Sequence, residues 1–148
     1  MLSSGKLERH IQKKLIPCYA ARYHSMVRAI KEHLVPLGVK ISTGKPYQTT
    51  VAGTNDGASF ELAGGFFLLI VLPPGSSPAP VLAKKALEQL ELKFAYGKMF
   101  EVKGDLGSKQ RSERGYGNTI RLCWAFHDEE AISEGIIRMK NLLLESLN

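Results

Sequence analysis

The sequence has little of what marks a membrane-spanning, secreted or metal-binding protein. Its longest uninterrupted apolar run, Phe66 to Leu72, is far too short to span a bilayer, which takes about 20 residues in a helix. Met1 to Lys14 is too polar to hold the apolar centre of a secretion signal, so a cytoplasmic location is expected. Only two cysteines occur, Cys18 and Cys123, far apart and without metal-ligand spacing. Both are expected as buried free thiols in a reducing compartment. The four histidines, His10, His24, His33 and His127, are not spaced as metal ligands either, and surface or packing roles are expected. Aromatic residues, 8% of the chain, do not interleave with basic ones as in single-strand nucleic-acid binders.

What is present suits one folded unit. With 148 residues, 44% hydrophobic and 23% charged, positions 1–148 are expected to form a single domain around a true core. The net charge of +6 and pI near 9.4 permit a nucleic-acid or membrane partner without demanding one. The basic residues are scattered. Their densest set, Lys6, Arg9, Lys13, Lys14, Arg22, Arg28 and Lys31, reads as a solvated face, so neither partner is expected.

Leu7, Ile11 and Leu15 recur every four residues, as do Met26, Ile30 and Leu34, which predicts a long amphipathic helix. Ser4 is placed to cap it, Pro17 to kink it, and Pro36 and Gly38 to end it. Lys40 to Leu62 reads as irregular, with a turn at Asn55-Asp56-Gly57 where a hairpin can form. Phe66 to Leu72, between Gly64-Gly65 and Pro73-Pro74-Gly75, reads as a buried strand. A helix follows over Val81 to Leu90, with Leu82, Ala83, Ala86, Leu87 and Leu90 on one face. After it come a short strand over Leu92 to Tyr96, an extended or turn element at Met99 to Val102, and a polar loop from Gly104 to Gly117. Thr119 to Phe126 is the third strand. Asp128 caps the last helix, whose apolar face is Ile132, Ile136, Ile137, Met139, Leu143 and Leu147. The fold class expected is α/β, in the form of a small α+β domain: three to four strands with helices packed on the sheet.

Two glycine patterns carry no nucleotide chemistry. In Gly38 to Lys45 the glycines are one residue too far apart for a phosphate loop, and Pro46 stands where Ser or Thr must bind the metal. Gly115-Tyr116-Gly117 precedes a strand instead of following one and reads as a tight turn.

Arg121 is the position that asks for an explanation. It sits inside the last strand among Ile120, Leu122, Trp124 and Phe126. Arg cannot shed its proton, and its planar fork suits a carboxylate held bidentately. It is therefore either the partner of an internal ion pair or a receptor for an anionic ligand.

Several segments taken together resemble the C-terminal small domain of class I/II aminotransferases, the pyridoxal-phosphate enzymes of fold type I. They are similar in particular to the branch of aminoadipate, kynurenine and valine–pyruvate transaminases. Ser4 to Ile11 resembles the segment before that family's long interdomain helix, and Tyr19-Ala20-Ala21-Arg22 its Tyr-x-x-Arg. Ala63-Gly64-Gly65-Phe66-Phe67, followed by Leu72-Pro73, resembles its Gly-Gly-Tyr/Phe-Phe strand. Tyr96-Gly97-Lys98-Met99-Phe100 takes the place of Pro-Gly-x-x-Phe, and Asn118 to Phe126 with Glu130 to Leu142 that of the closing strand and helix.

The resemblance implies that Arg121 grips the α-carboxylate of an amino acid or 2-oxo acid, with Asn118 in support. It implies pyridoxal 5'-phosphate as the parent family's cofactor, and a large domain and homodimer partner beyond this chain. No lysine here lies in the Schiff-base context of the family: Lys6 opens a helix and Lys45 sits in a loop. The chain is thus expected to be one domain of an aminotransferase, without catalytic or cofactor-binding residues of its own and inactive alone. The alternative is a non-catalytic stand-alone binding or assembly module that reuses the domain.

Overall fold

The computed structural model describes residues 5–42 and 65–147. Ser4, Lys45, the Asn55-Asp56-Gly57 turn, Gly64 and the phosphate-loop-like stretch beyond Ser42 lie outside the described residues. Among the described residues the elements run α1 (Lys6–His10), a π-helical turn (Ile11–Leu15), α2 (Ile16–His33), β1 (Lys40–Ser42), β2 (Phe67–Val71), α3 (Ala79–Leu90), β3 (Ala95–Tyr96), α4 (Leu106–Glu113), β4 (Thr119–Cys123) and α5 (Glu129–Leu147). Short 3-10 turns precede β1, follow β3 and lead into β4.

The long N-terminal helix passes Pro17 by a specific route. Pro17 has no N–H to give, and its ring crowds the carbonyl one turn earlier. The turn just before it, Ile11–Leu15, widens to π-helical, and α2 restarts with Pro17 in its first turn. A proline and a π-bulge are two of the recognised causes of a bent helix, so the expected irregularity near Pro17 has a backbone form.

The four strands pair in the order β1-β2-β4-β3, all antiparallel. Strand alternation sends Leu68, Ile70, Ile120 and Leu122 to one face. There they join Met26 and Ile30 of α2, Leu82 and Ala86 of α3, and Ile132, Ile136, Met139, Leu142 and Leu143 of α5 in one core. Ile30, Leu34, Ile70, Leu82 and Leu143 have no exposed surface, and each such side chain contributes about 1.5–3 kcal/mol of transfer free energy. The other face is less covered: Phe67 is exposed, Leu69, Val71 and Arg121 are half-buried, and Cys123 is exposed. Helices thus lie on one side of an antiparallel sheet, which is the α+β arrangement.

Several elements differ from the sequence expectation. Lys40–Ser42 pairs with Leu69–Val71 as an edge strand, inside a stretch expected to be irregular. The expected strand over Leu92 to Tyr96 pairs only at Ala95 and Tyr96. The expected loop from Gly104 to Gly117 contains α4, because Asp105 accepts from the backbone N–H groups of Gly107 and Ser108 at 2.8 and 3.2 Å and nucleates a turn. An apolar period was no guide there, since Leu106 of α4 is 75% exposed. Leu87 and Ile137 turn outward from α3 and α5, while Leu142 turns inward.

Both thiols are free, but they are exposed and not buried. Cys18 lies on the uncovered start of α2, and Cys123 projects from the uncovered side of β4.

α5 passes close to the segment before β3 at Gly135, where an added Cβ would meet Leu92 Cδ1 at 3.6 Å, an ordinary contact. Gly135→Ala is therefore expected to stabilise the chain by about 0.5–1 kcal/mol, the helix-propensity difference. Urea unfolding followed by circular dichroism measures it, and a loss of stability would contradict the open geometry at Gly135.

Candidate functional site

The site is built on the uncovered side of the sheet around Arg121. Its strand neighbours are Leu69 of β2 and Ala95 of β3, both apolar, so neither flank supplies a counter-charge. Among the described residues no carboxylate pairs with Arg121, and its Nε is buried without a hydrogen-bond partner. An orphaned buried donor costs about 1–3 kcal/mol. Two aromatic rings offset this. The guanidinium carbon lies 4.1 Å from the Phe67 ring centroid and 4.5 Å from that of Phe100. Each such contact contributes about 0.5–2 kcal/mol, so the rings hold the guanidinium in place where no acid among the described residues does. Of the two roles open in the sequence, the internal ion pair is absent among the described residues.

Arg121 borders a cavity of about 700 Å³, a size typical of small-ligand sites. Its walls come from both sides of the sheet: Phe67 and Cys123 belong to the uncovered face, and Leu122, Ile132, Ile136 and Met139 to the core side. Leu92 to Phe94, which precede the paired residues of β3, line it together with Leu122 and Cys123 of β4.

Asn118 serves the scaffold behind Arg121. Its side-chain oxygen accepts from the backbone N–H of Ala79 at 2.8 Å, satisfying the start of α3 beside the start of β4. Tyr19 and Arg22, singled out as a pair in the sequence, meet at the far end of β4. Arg22 Nη1 donates to the Ala125 carbonyl at 2.6 Å, and the Tyr19 ring packs on Phe66 and Trp124 at 5.6 and 5.9 Å between centroids. Arg22 is therefore spent on joining α2 to the strand–helix corner. Phe67 and Phe100 carried motif positions, but nothing in their spacing placed them on Arg121.

Several solved structures share this fold. The α-aminoadipate aminotransferase LysN of Thermus thermophilus, solved with N-(5'-phosphopyridoxyl)-L-leucine, matches 99% of the chain at 27% identity and TM-score 0.66. The kynurenine aminotransferase of Pyrococcus horikoshii, solved with PMP, matches 99% at 25% identity and TM-score 0.68.

The fold is that of a small domain of pyridoxal-phosphate-dependent aminotransferases.

The multiple substrate aminotransferase of Thermococcus profundus agrees in fold, over 98% of the chain at 24% identity and TM-score 0.68. The chain spans only 28–29% of the length of each of these enzymes. No protein-family model and no curated protein sequence matches it.

The charged residues that line this cavity do not suit a holder for pyridoxal phosphate. Lys93, the one lysine lining the cavity, is solvent-exposed. Of the lining acids, Glu91 is exposed and Glu134 is tied to Arg138 at 3.0 Å. A cofactor imine needs a shielded amine, and the pyridinium nitrogen needs an acid aimed at it. Arg121 offers instead a fixed cation beside apolar walls, which suits the binding and orientation of a carboxylate.

Proposed function

We propose that this chain is the small domain of a pyridoxal-phosphate-dependent aminotransferase and that Arg121 binds the carboxylate of its amino-acid and 2-oxo-acid substrates. The observation that carries the reading is a strand arginine that borders a cavity with no acid paired to it among the described residues. A carboxylate ligand completes such a site, because a charge-assisted, bidentate pair is shorter and stronger than a neutral hydrogen bond. Asn118 supports Arg121 indirectly, by tying α3 to the strand that carries it. Amino transfer itself belongs to a large, cofactor-holding domain and to a homodimer partner, and the chain alone is inactive. Its two free thiols suit a reducing compartment, and the reading places the enzyme in the cytoplasm.

The test is Arg121→Lys in an enzyme that joins this domain to its large domain. Lysine keeps the charge but loses the planar fork. The KM for the amino acid is expected to rise about tenfold or more. Unchanged kinetics would sink the assignment of Arg121. The 148-residue chain mixed with pyridoxal phosphate is expected to show no imine absorbance; such a band would reveal a cofactor lysine in this chain.

A further inference from the structure

We infer that Phe67 and Phe100 are positioning residues that clamp the Arg121 guanidinium so that a carboxylate is gripped end-on, through the two terminal nitrogens, and not through Nε. The inference rests on the reading of Arg121 as a carboxylate receptor and specifies how it works. The rings come from opposite neighbours of β4. Phe67 belongs to β2, where it stands opposite Cys123, and Phe100 to the 3-10 turn that follows β3. Each meets the guanidinium carbon within 4.5 Å of its ring centroid.

A ring over a guanidinium occupies its face and leaves the in-plane N–H groups for a ligand. Those groups form two bidentate edges, one made by the two terminal nitrogens and one by Nε with a terminal nitrogen. The second edge is closed, because Nε is buried and no partner reaches it. The first edge remains. Phe67 and Phe100 are themselves 48% and 40% exposed, so packing in the core does not account for where they lie. Contact with Arg121 does. The clamp removes rotamer freedom from a long side chain before the ligand arrives, which lowers the cost of binding.

The probe is pyruvate, added to the chain with its arginine nitrogens labelled with ¹⁵N and followed by NMR. Without ligand, the Arg121 Nε–H signal is expected to be displaced by ring currents, and to return to the ordinary arginine position in Phe67→Leu and Phe100→Leu. Pyruvate is expected to shift the terminal N–H signals and to leave Nε–H in place. Each leucine variant should bind pyruvate about two- to thirtyfold more weakly, the range expected for one lost ring contact. Tyr at either position should restore binding. The melting temperature should fall by no more than a few degrees, and rescue of both pyruvate binding and the Nε–H signal by Tyr separates a positioning role from a structural one.

Arg121→Gln identifies which idea fails. Pyruvate binding that survives Arg121→Gln, or no binding by the parent chain, overturns the carboxylate role and the clamp with it. Binding that needs Arg121 but neither ring overturns the clamp alone. So does a strong downfield shift of Nε–H on adding pyruvate, which is the mark of a side-on grip.

Discussion

Gly97→Ala is expected to destabilise the chain by about 3 kcal/mol or more, the upper range for overpacking. A Cβ at Gly97 would lie 1.7 Å from the Tyr116 carbonyl oxygen and 2.7 Å from Thr119 Oγ1. Neither neighbour has room to yield. The Tyr116 carbonyl is backbone inside a 3-10 turn, and it already accepts from Thr119 Oγ1 at 2.7 Å. Relief therefore requires the β3 turn and the β4 turn to part. Only the pairs Ala95↔Arg121 and Tyr96↔Ile120 hold β3 to the sheet, so the strand is expected to detach. Phe100 lies in the turn that begins at Gly97, and its contact with Arg121 would be lost as well. Urea unfolding followed by Trp124 fluorescence measures the effect. A change within about 0.5 kcal/mol, the usual range for surface substitutions, would mean that the two turns do not approach as described. The opposite sign expected for Gly135→Ala makes the pair a test of local geometry and not of glycine in general.

Trp124→Ala is expected to cost about 3–5 kcal/mol, as large-to-small changes at buried aromatic positions do. Trp124 is 5% exposed and lies at the centre of a cluster in which Tyr19, Tyr23 and Phe66 meet its ring edge-to-face, with centroids 5.7–6.2 Å away. Its backbone N–H donates to the Phe66 carbonyl at 3.1 Å, so the same residue extends the β2–β4 contact beyond the paired register. The cluster fastens α2 to the end of β4. Little else holds the start of the long helix, where Leu7 and Ile16 are 47% and 51% exposed. Loss of the indole leaves a void that the sheet and α2 cannot both close. Thermal melts by far-UV circular dichroism measure the loss, and Trp124→Phe, which keeps an aromatic ring, should recover part of it. A melt unchanged in Trp124→Ala would show that α2 is held by something other than this cluster.

Legibility in the sequence followed the physical scale of each signal. The period of four in Met26, Ile30 and Leu34, and in the face of α5, was readable because a buried helix face must repeat with the turn. Asp128 was readable as a cap, and its carboxylate accepts from Ala131 N–H at 2.8 Å. α4 was not readable by periodicity: it buries only Ser108 and presents no apolar stripe. β1 was not readable because three residues are too few to show alternation, and only their pairing with Leu69–Val71 makes them a strand.

By itself, the sequence determined the helix–strand order around the core, the position of Arg121 within a strand, and the likeness to the aminotransferase small domain. Each depends on residues near one another in the chain, whose spacing the backbone turns directly into a shared face. Only the tertiary structure decided what surrounds Arg121. Alternation states which side of the sheet a side chain takes, but not which side chains meet it from other strands. Register brought Leu69 and Ala95 beside Arg121, and chain segments distant in sequence laid Phe67 and Phe100 on it. A cation with rings on its faces and, among the described residues, no acid beside it is a property of that assembly, and no single segment carries it.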